Sequence, residues 1–274
     1  MSPDTTPPPA CDCHIHIYDL KRHPLPQAHA FGPPDAPWTA HQALQRDLGL
    51  ERCVIVQPMG YGLDNRCTLE TLAAANGSAR AIIALQPGAD AATLRSLDEQ
   101  GVRGVRFMMV PGGGSLVTWE MLPQVAHEIA GLGWNINLQL DGREIHRYAG
   151  LLANLPCPVV IDHNGKFLEP VTTDDASYLR LCGLMDTGRF WVKLSAPYET
   201  SRVGPPSYED VSAIARDLAR RYPERCLWAS NWPHPGQLQR PDNAGLLALL
   251  DDWAPSATVK ERILRWNPQE LYGF

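Results

Sequence analysis

L-W-A-S-N-W-P-H-P, residues 227–235, is an apolar run that stops abruptly. Cys226 to Ala229 are apolar; Ser230 and Asn231 follow, then an indole, a proline and a histidine. A buried strand that delivers side chains to a site at its end has this pattern, apolar while both faces are packed and polar where packing stops. Its chemistry turns on Asn231. An aspartate there could serve as a base or a metal ligand, whereas a neutral amide does neither well.

Outward from this stretch the same kind of run recurs. Strands are predicted from Cys11 to Ile17, Arg52 to Gln57, Ala79 to Gln86, Gly104 to Met108, Trp134 to Leu140, Pro158 to Asp162, Phe190 to Ser195 and Arg225 to Ser230. Helical patterns fall between them: Thr39–Leu48, a helix capped by Asp64, Asp90–Gln100, Thr118–Leu132, Gly142–Leu155, Asp174–Asp186 and Tyr208–Tyr222. Asn243–Trp253 and Ser256–Trp266 close the chain. Eight strands alternating with helices in 274 residues predict an α/β fold, a single-domain (β/α)8 TIM barrel over 11–274. The Pro-rich segment 1–10 reads as a disordered tail. An open, doubly wound sheet is the alternative, but it calls for a phosphate-binding glycine turn after the first strand. None follows His16, and the glycines of the loop Pro111–Gly114 lack the G-x-G-x-x-G spacing.

Composition narrows the partners. The net charge is −6 and no basic run occurs, which argues against nucleic acid. No apolar stretch approaches the ~20 residues that span a bilayer, so no membrane is expected. Met1 to Ala10 lack a charged segment followed by an apolar one, so no signal peptide is read there. Seven cysteines, an odd number at wide spacing, fit a reduced, cytoplasmic setting in which they pack as small hydrophobes.

In a barrel, chemistry gathers at the C-terminal ends of the strands. Strand one brings His14 and His16, on one face because side chains alternate with period two. Strand two brings Gln57, with Asn65 beyond it. Strands four and five bring Arg106 and Gln139. Strand six brings Asp162, His163 and Lys166. Strand seven brings Lys193, with Tyr198 and Arg202 in its loop, and strand eight brings Asn231 and His234. The cations point to an anionic ligand, since arginine grips a carboxylate in two places at once. Zinc on His14 and His16 is an alternative, but strands five and eight offer the amides of Gln139 and Asn231, which are poor zinc ligands. No cofactor is therefore expected.

These residues resemble a known family. C-D-C-H-I-H-I-Y-D (11–19) resembles the first strand of the amidohydrolase superfamily. V-I-V-Q (54–57), G-V-R-G-V-R-F (101–107), V-I-D-H (160–163), F-W-V-K-L-S (190–195) and W-A-S-N-W-P-H-P (228–235) resemble its lactone-processing branch, which includes the metal-independent 2-pyrone-4,6-dicarboxylate lactonases. D-H-N-G-K-F (162–167), Y-E-T-S-R (198–202) and Asn231 are most similar to the D-galactarolactone isomerases. The resemblance spans residues 11–274. It implies a catalytic set of His14, His16, His163 and Asn231. Gln57, Asn65, Arg106, Gln139, Lys166, Lys193, Tyr198, Arg202 and His234 are then expected as substrate contacts, with Arg106 and Lys193 holding a distal carboxylate.

The implied substrate is a small sugar-diacid lactone. The implied reaction moves a 1,5-lactone to a 1,4-lactone by intramolecular acyl transfer, without water. Two alternatives stand beside it: a metal-independent lactone hydrolase in which Asn231 replaces a catalytic aspartate, and a non-catalytic protein that binds sugar-acid lactones.

Overall fold

Eight short apolar segments make the frame: β1 (Cys11–Ile15), β2 (Arg52–Val56), β3 (Ala79–Ile83), β4 (Val102–Met108), β5 (Asn135–Gln139), β6 (Val159–Ile161), β7 (Phe190–Ser195) and β8 (Cys226–Ala229). They pair in parallel in sequence order, as a computed structural model of residues 6–26, 32–110 and 116–274 shows. The helices α1 (Trp38–Leu48), α2 (Arg66–Ala74), α3 (Ala91–Gln100), α4 (Leu122–Ala130), α5 (Ile145–Ala153), α6 (Ala176–Met185), α7 (Glu209–Arg221) and α8 (Asn243–Trp253) connect and follow the strands. Nearly every strand residue is buried, because helices cover the outer face and side chains fill the inner one. This is the (β/α)8 barrel.

The barrel closes between its first and last strands. Ile15 bridges in parallel to Trp232, His16 N donates to Trp232 O at 2.7 Å, and Asn231 N donates to His14 O at 3.0 Å. The seam therefore sets the histidine pair beside the end of β8 through backbone bonds alone. A second device acts in β1. Cys11 and Cys13 pack in the cluster inside the barrel with Val54, Val56 and Leu227, whereas Ile15 packs in the outer core. Facing parity switches between them, where the β1–β2 register shifts between Asp12 and Ile15. Bulges of this kind re-aim side chains next to functional sites. Here the lower interior is apolar and closed by Tyr272, and the polar side chains stand above it.

Several elements differ from expectation. β1 stops at Ile15, after which His16 and Tyr18 turn to the barrel mouth, and β3 stops at Ile83, after which Ala84 spends both backbone groups on the Asn65 side chain. Gly142–Glu144 is a 3-10 turn ahead of α5, and Ser256–Trp266 divides into a helix, Ala257–Glu261, and a π-turn, Arg262–Trp266. The tail is tied down at its end: Pro8 O accepts from Arg265 at 2.8 Å, Pro9 O from Arg52 at 2.6 Å, and Ala10 is buried. The expected loop Pro111–Gly114 lies outside the described residues. All seven cysteines are buried and unpaired. Among the described residues no helix is long and apolar enough to cross a membrane.

Candidate active site

The polar side chains at the barrel mouth stand in two layers. In the deeper one, His16 Nδ1 lies 2.8 Å from the Val56 carbonyl, His14 Nε2 lies 3.2 Å from His16 Nε2, and Lys193 Nζ lies 3.0 Å from His14 Nδ1. The hydrogen positions follow from this network. A carbonyl only accepts, so His16 carries its hydrogen on Nδ1 and offers a lone pair at Nε2. His14 must then donate from Nε2, which leaves its Nδ1 lone pair for the Lys193 ammonium. Burial, reinforced for His14 by Lys193 and for His16 by Arg106, holds both imidazoles well below their usual range, so both are neutral.

Lys193 is fully buried and anchors the layer. Its ammonium reaches Asp162 Oδ1 at 3.2 Å and donates to Asn137 Oδ1, while Asn137 Nδ2 donates to Asp162 Oδ1 at 2.8 Å. Burial pushes the Asp162 carboxyl up, but Lys193 and His14 more than offset this and hold it well below the usual range. Asp12 Oδ1 accepts from His14 N at 3.2 Å and Ser230 N at 3.0 Å, which ties β1 to β8. Burial raises its carboxyl to about 6.

Above lies a cavity of about 310 Å³, within the size range of small-molecule sites. His16, Arg106, Gln139, His163, Lys166, Glu199 and Asn231 supply its polar wall, and Tyr18, Met59 and Met108 contribute bulk. Arg106 donates to Gln57 O at 2.7 Å and to Gln139 Oε1 at 3.2 Å, while its Nε has no partner among the described residues. His163 Nδ1 lies 2.8 Å from Ser195 Oγ, which leaves Nε2 as its other ring nitrogen. Burial lowers this imidazole too, so it is neutral. Lys166 pairs with Glu199 Oε2. Burial draws the ammonium down to about 8, a pull that the Asp162 charge opposes and Arg106 reinforces. Asn231 Nδ2 donates to Glu199 Oε1 at 2.8 Å and to Tyr198 Oη at 3.0 Å. A carboxylate only accepts, so Glu199 fixes which way the amide points. Tyr198 can then donate to His234 Nδ1 at 2.8 Å, and His234 Nε2 to Asn243 Oδ1 at 3.0 Å.

Backbone strain collects in these loops. His163, Asn164, Lys166, Ala196, Asn231 and His234 all have positive φ, between 46° and 63°. Such conformations cost about 1–3 kcal/mol each for most residues and persist where surrounding structure over-determines them. Gly142 allows one such approach: a Cβ there would stand 2.5 Å from Gly165 O and 2.6 Å from the Phe167 ring, inside the loop that carries His163 and Lys166.

Six expected substrate contacts are not brought to the cavity: Lys193, Gln57, Asn65, Arg202, Tyr198 and His234. Lys193 is sealed in the deeper layer by its three partners. Gln57 spends its amide on Gly62 O and Asp64 O and accepts from Thr68, bracing the loop after β2. Asn65 exchanges hydrogen bonds with both backbone groups of Ala84. Arg202 is exposed and paired with Glu169. His14 is covered, with both ring nitrogens engaged, and Tyr198 and His234 stand behind Asn231 rather than in the wall. Glu199 was not anticipated. Its signal was Pro197, two residues past the end of β7, which starts a 3-10 turn over the barrel mouth, together with the need of a buried Lys166 for a counter-ion.

A metal does not fit this arrangement. His14, Asp162 and His163 bring ligand atoms within 4.8 Å of one another. The Lys193 ammonium, however, already stands against His14 Nδ1 and Asp162 Oδ1, and His14 Nε2 serves His16. Asp162 Oδ2 and one His163 nitrogen remain, short of the three protein ligands that a catalytic zinc takes.

The sequence profile described as Amidohydrolase matches residues 11–274. The chain belongs to the amidohydrolase family. Within it, the lactone-processing branch supplies the relatives. This amidohydrolase is 34% identical to 4-sulfomuconolactone hydrolase of Hydrogenophaga intermedia, over 97% of the chain and 89% of that protein. It is 31% identical to D-galactarolactone isomerase of Agrobacterium fabrum, over 96% of the chain and 90% of that protein. An apo crystal structure from Agrobacterium tumefaciens superposes with a TM-score of 0.87 at 30% identity, covering 99% of this chain and 98% of that one.

Proposed function

We propose that this amidohydrolase isomerises a sugar-diacid 1,5-lactone to the 1,4-lactone, a reading that its likeness to a D-galactarolactone isomerase supports. Asn231 carries the reading. β8 ends in an amide whose nitrogen is committed to Tyr198 and Glu199, so this strand offers no carboxylate to activate water. The cavity wall holds two cations, Arg106 and Lys166, against one carboxylate, Glu199, with neutral imidazoles. A monoanionic lactone balances that charge, and isomerisation leaves it monoanionic, whereas hydrolysis adds a second carboxylate. In the reaction the free 4-hydroxyl attacks C1, a tetrahedral oxyanion forms, and the 5-oxygen leaves. Tethering nucleophile to electrophile can contribute about 7–11 kcal/mol in well-aligned cases. Arg106 and Lys166 share the carboxylate, and His163, with one ring nitrogen turned from Ser195, contacts the reacting oxygens.

Lactone hydrolysis is the second reading, and the Glu199 carboxylate in the wall favours it. The two part on the first product. Proton NMR of D-galactaro-1,5-lactone with enzyme should show the 1,4-lactone growing before any linear diacid. Linear diacid as the direct enzyme-dependent product overturns the isomerase reading in favour of the hydrolase.

A further inference from the structure

We propose that Lys166 and Glu199 form a substrate-operated catalytic pair: the lactone's carboxylate takes over the Lys166 ammonium, and the freed Glu199 carboxylate is the base for the attacking hydroxyl. The inference rests on the lactone reading above and names the group that moves its proton.

Both residues line the same cavity, and their side chains are only 8% and 15% exposed. Each is held by the backbone rather than by chance contact. Lys166 N donates to His163 O at 2.7 Å, and Glu199 N donates to Ala196 O at 3.1 Å, each from a turn that starts in the left-handed region. Glu199 is fully engaged without substrate, with Oε1 accepting from Asn231 and Oε2 from Lys166. A carboxylate so neutralised is a weak base. Lys166 is also, with Arg106, one of the two cations in the wall, so an incoming carboxylate and Glu199 compete for the same ammonium. When the ligand wins, Oε2 is released while Asn231 still holds Oε1.

The step balances without a co-reactant. Glu199 Oε2 takes the hydroxyl proton as that oxygen bonds to the lactone carbonyl carbon, and the C=O pair moves onto the carbonyl oxygen. On collapse, the bond from carbon to the ring oxygen breaks. That oxygen leaves with its electron pair and takes the proton back from Glu199. The base is thus freed only when substrate fills the cavity, which leaves the tethered hydroxyl, not bulk water, as the nearest nucleophile.

Two measurements test this. The first uses turnover of the carboxylate lactone and of its neutral carboxamide by wild type, Glu199→Gln, Glu199→Asp and Lys166→Met. Glu199→Gln should lose about 10²- to 10⁴-fold in kcat, with KM changed less than kcat, and the acidic limb of its pH–kcat/KM profile should vanish. Glu199→Asp should recover part of the loss. Lys166→Met should be slower than wild type on the carboxylate lactone but faster on the carboxamide, because Glu199 is then free at all times. Wild-type kcat in Glu199→Gln, or equal losses on both substrates in Lys166→Met, overturns the proposal. The second is a crystal structure of wild type with linear galactarate, which needs no turnover. A ligand carboxylate on Lys166 with Glu199 displaced supports the exchange; a bound ligand with the ion pair intact overturns it. Failure of wild type to convert any lactone, with the exchange seen in the crystal, would strike the lactone reading rather than the pair.

Discussion

Lys193 and Lys166 are both buried lysines at the ends of barrel strands, and their neighbourhoods could hardly differ more. Lys193 has three protein partners, Asp162, Asn137 and His14, and no exposed surface. Lys166 has one ionic partner, Glu199, and a cavity in front of it. Depth separates scaffold from chemistry here, not residue type. The deeper layer closes on itself through a chain of hydrogen bonds from Lys193 to Val56, so it holds His16 in one orientation and has no donor left for a ligand. The upper layer has unspent groups: the Arg106 Nε, a His163 nitrogen, and an ion pair that a carboxylate can enter.

Removing the deeper lysine should break the scaffold hardest. Lys193→Met leaves Asp162 as an uncompensated buried charge and should cost about 3–5 kcal/mol in urea unfolding. Lys166→Met should cost clearly less, since Glu199 can turn to the open cavity. Equal losses from the two variants would erase the distinction between the layers.

Acid sharpens the same contrast, because buried imidazoles resist protonation. His14, His16 and His163 are held well below their usual range, His41 falls to about 3 and His234 to about 4. In each case burial is the first cause and the folded value lies below the unfolded one. The unfolded chain therefore takes up protons first as pH drops below about 6.5. Their contribution to stability is present above that pH and is lost below it, by up to about 1.4 kcal/mol per pH unit for each group. Asp12 acts in the opposite sense between 3.8 and about 6, where the folded state holds the proton, and offsets one of the five. Urea midpoints at pH 7.5, 6.5 and 5.5 should fall steeply over the last step. His41→Leu should flatten that fall by one proton, because neither ring nitrogen of His41 has a partner among the described residues. A midpoint unchanged to pH 5.5 would contradict the burial account.

The smallest effects belong to groups outside both layers. Chelation followed by metal analysis should leave activity within error, because Lys193 stands where an ion's charge would be needed; stoichiometric zinc with activity lost on its removal would refute this. Arg202→Ala should change kcat/KM by less than twofold, as Arg202 is exposed, pairs with Glu169 and stands outside the cavity wall.

Much of this was legible in the sequence. Apolar runs and their spacing gave the barrel, and period-two alternation put His14 beside His16, while Asn137, one step below Gln139 on the same strand, went unread. Depth was not legible. Nothing local distinguishes Lys193 from Lys166, since the former is sealed by residues from three other strands. The β1 bulge was hidden for a similar reason, because a one-residue register shift shows only in the partner strand. Glu199 escaped because a loop after a strand has no period from which to read direction; only the turn started by Pro197 aims it over the mouth. Gln57 and Asn65 looked like strand-end amides and proved to be loop braces, a role set by backbone groups in Gly62, Asp64 and Ala84.

The proposed acyl transfer stays within the substrate, in a cavity where the only wall carboxylate among the described residues is tied to Lys166. Turnover of the 1,5-lactone in ¹⁸O-water, with mass spectrometry of the early product, tests it most directly. Internal transfer yields a 1,4-lactone that carries no ¹⁸O above the enzyme-free control. Enzyme-dependent incorporation of one ¹⁸O into the product carboxylate would contradict it and make water the nucleophile.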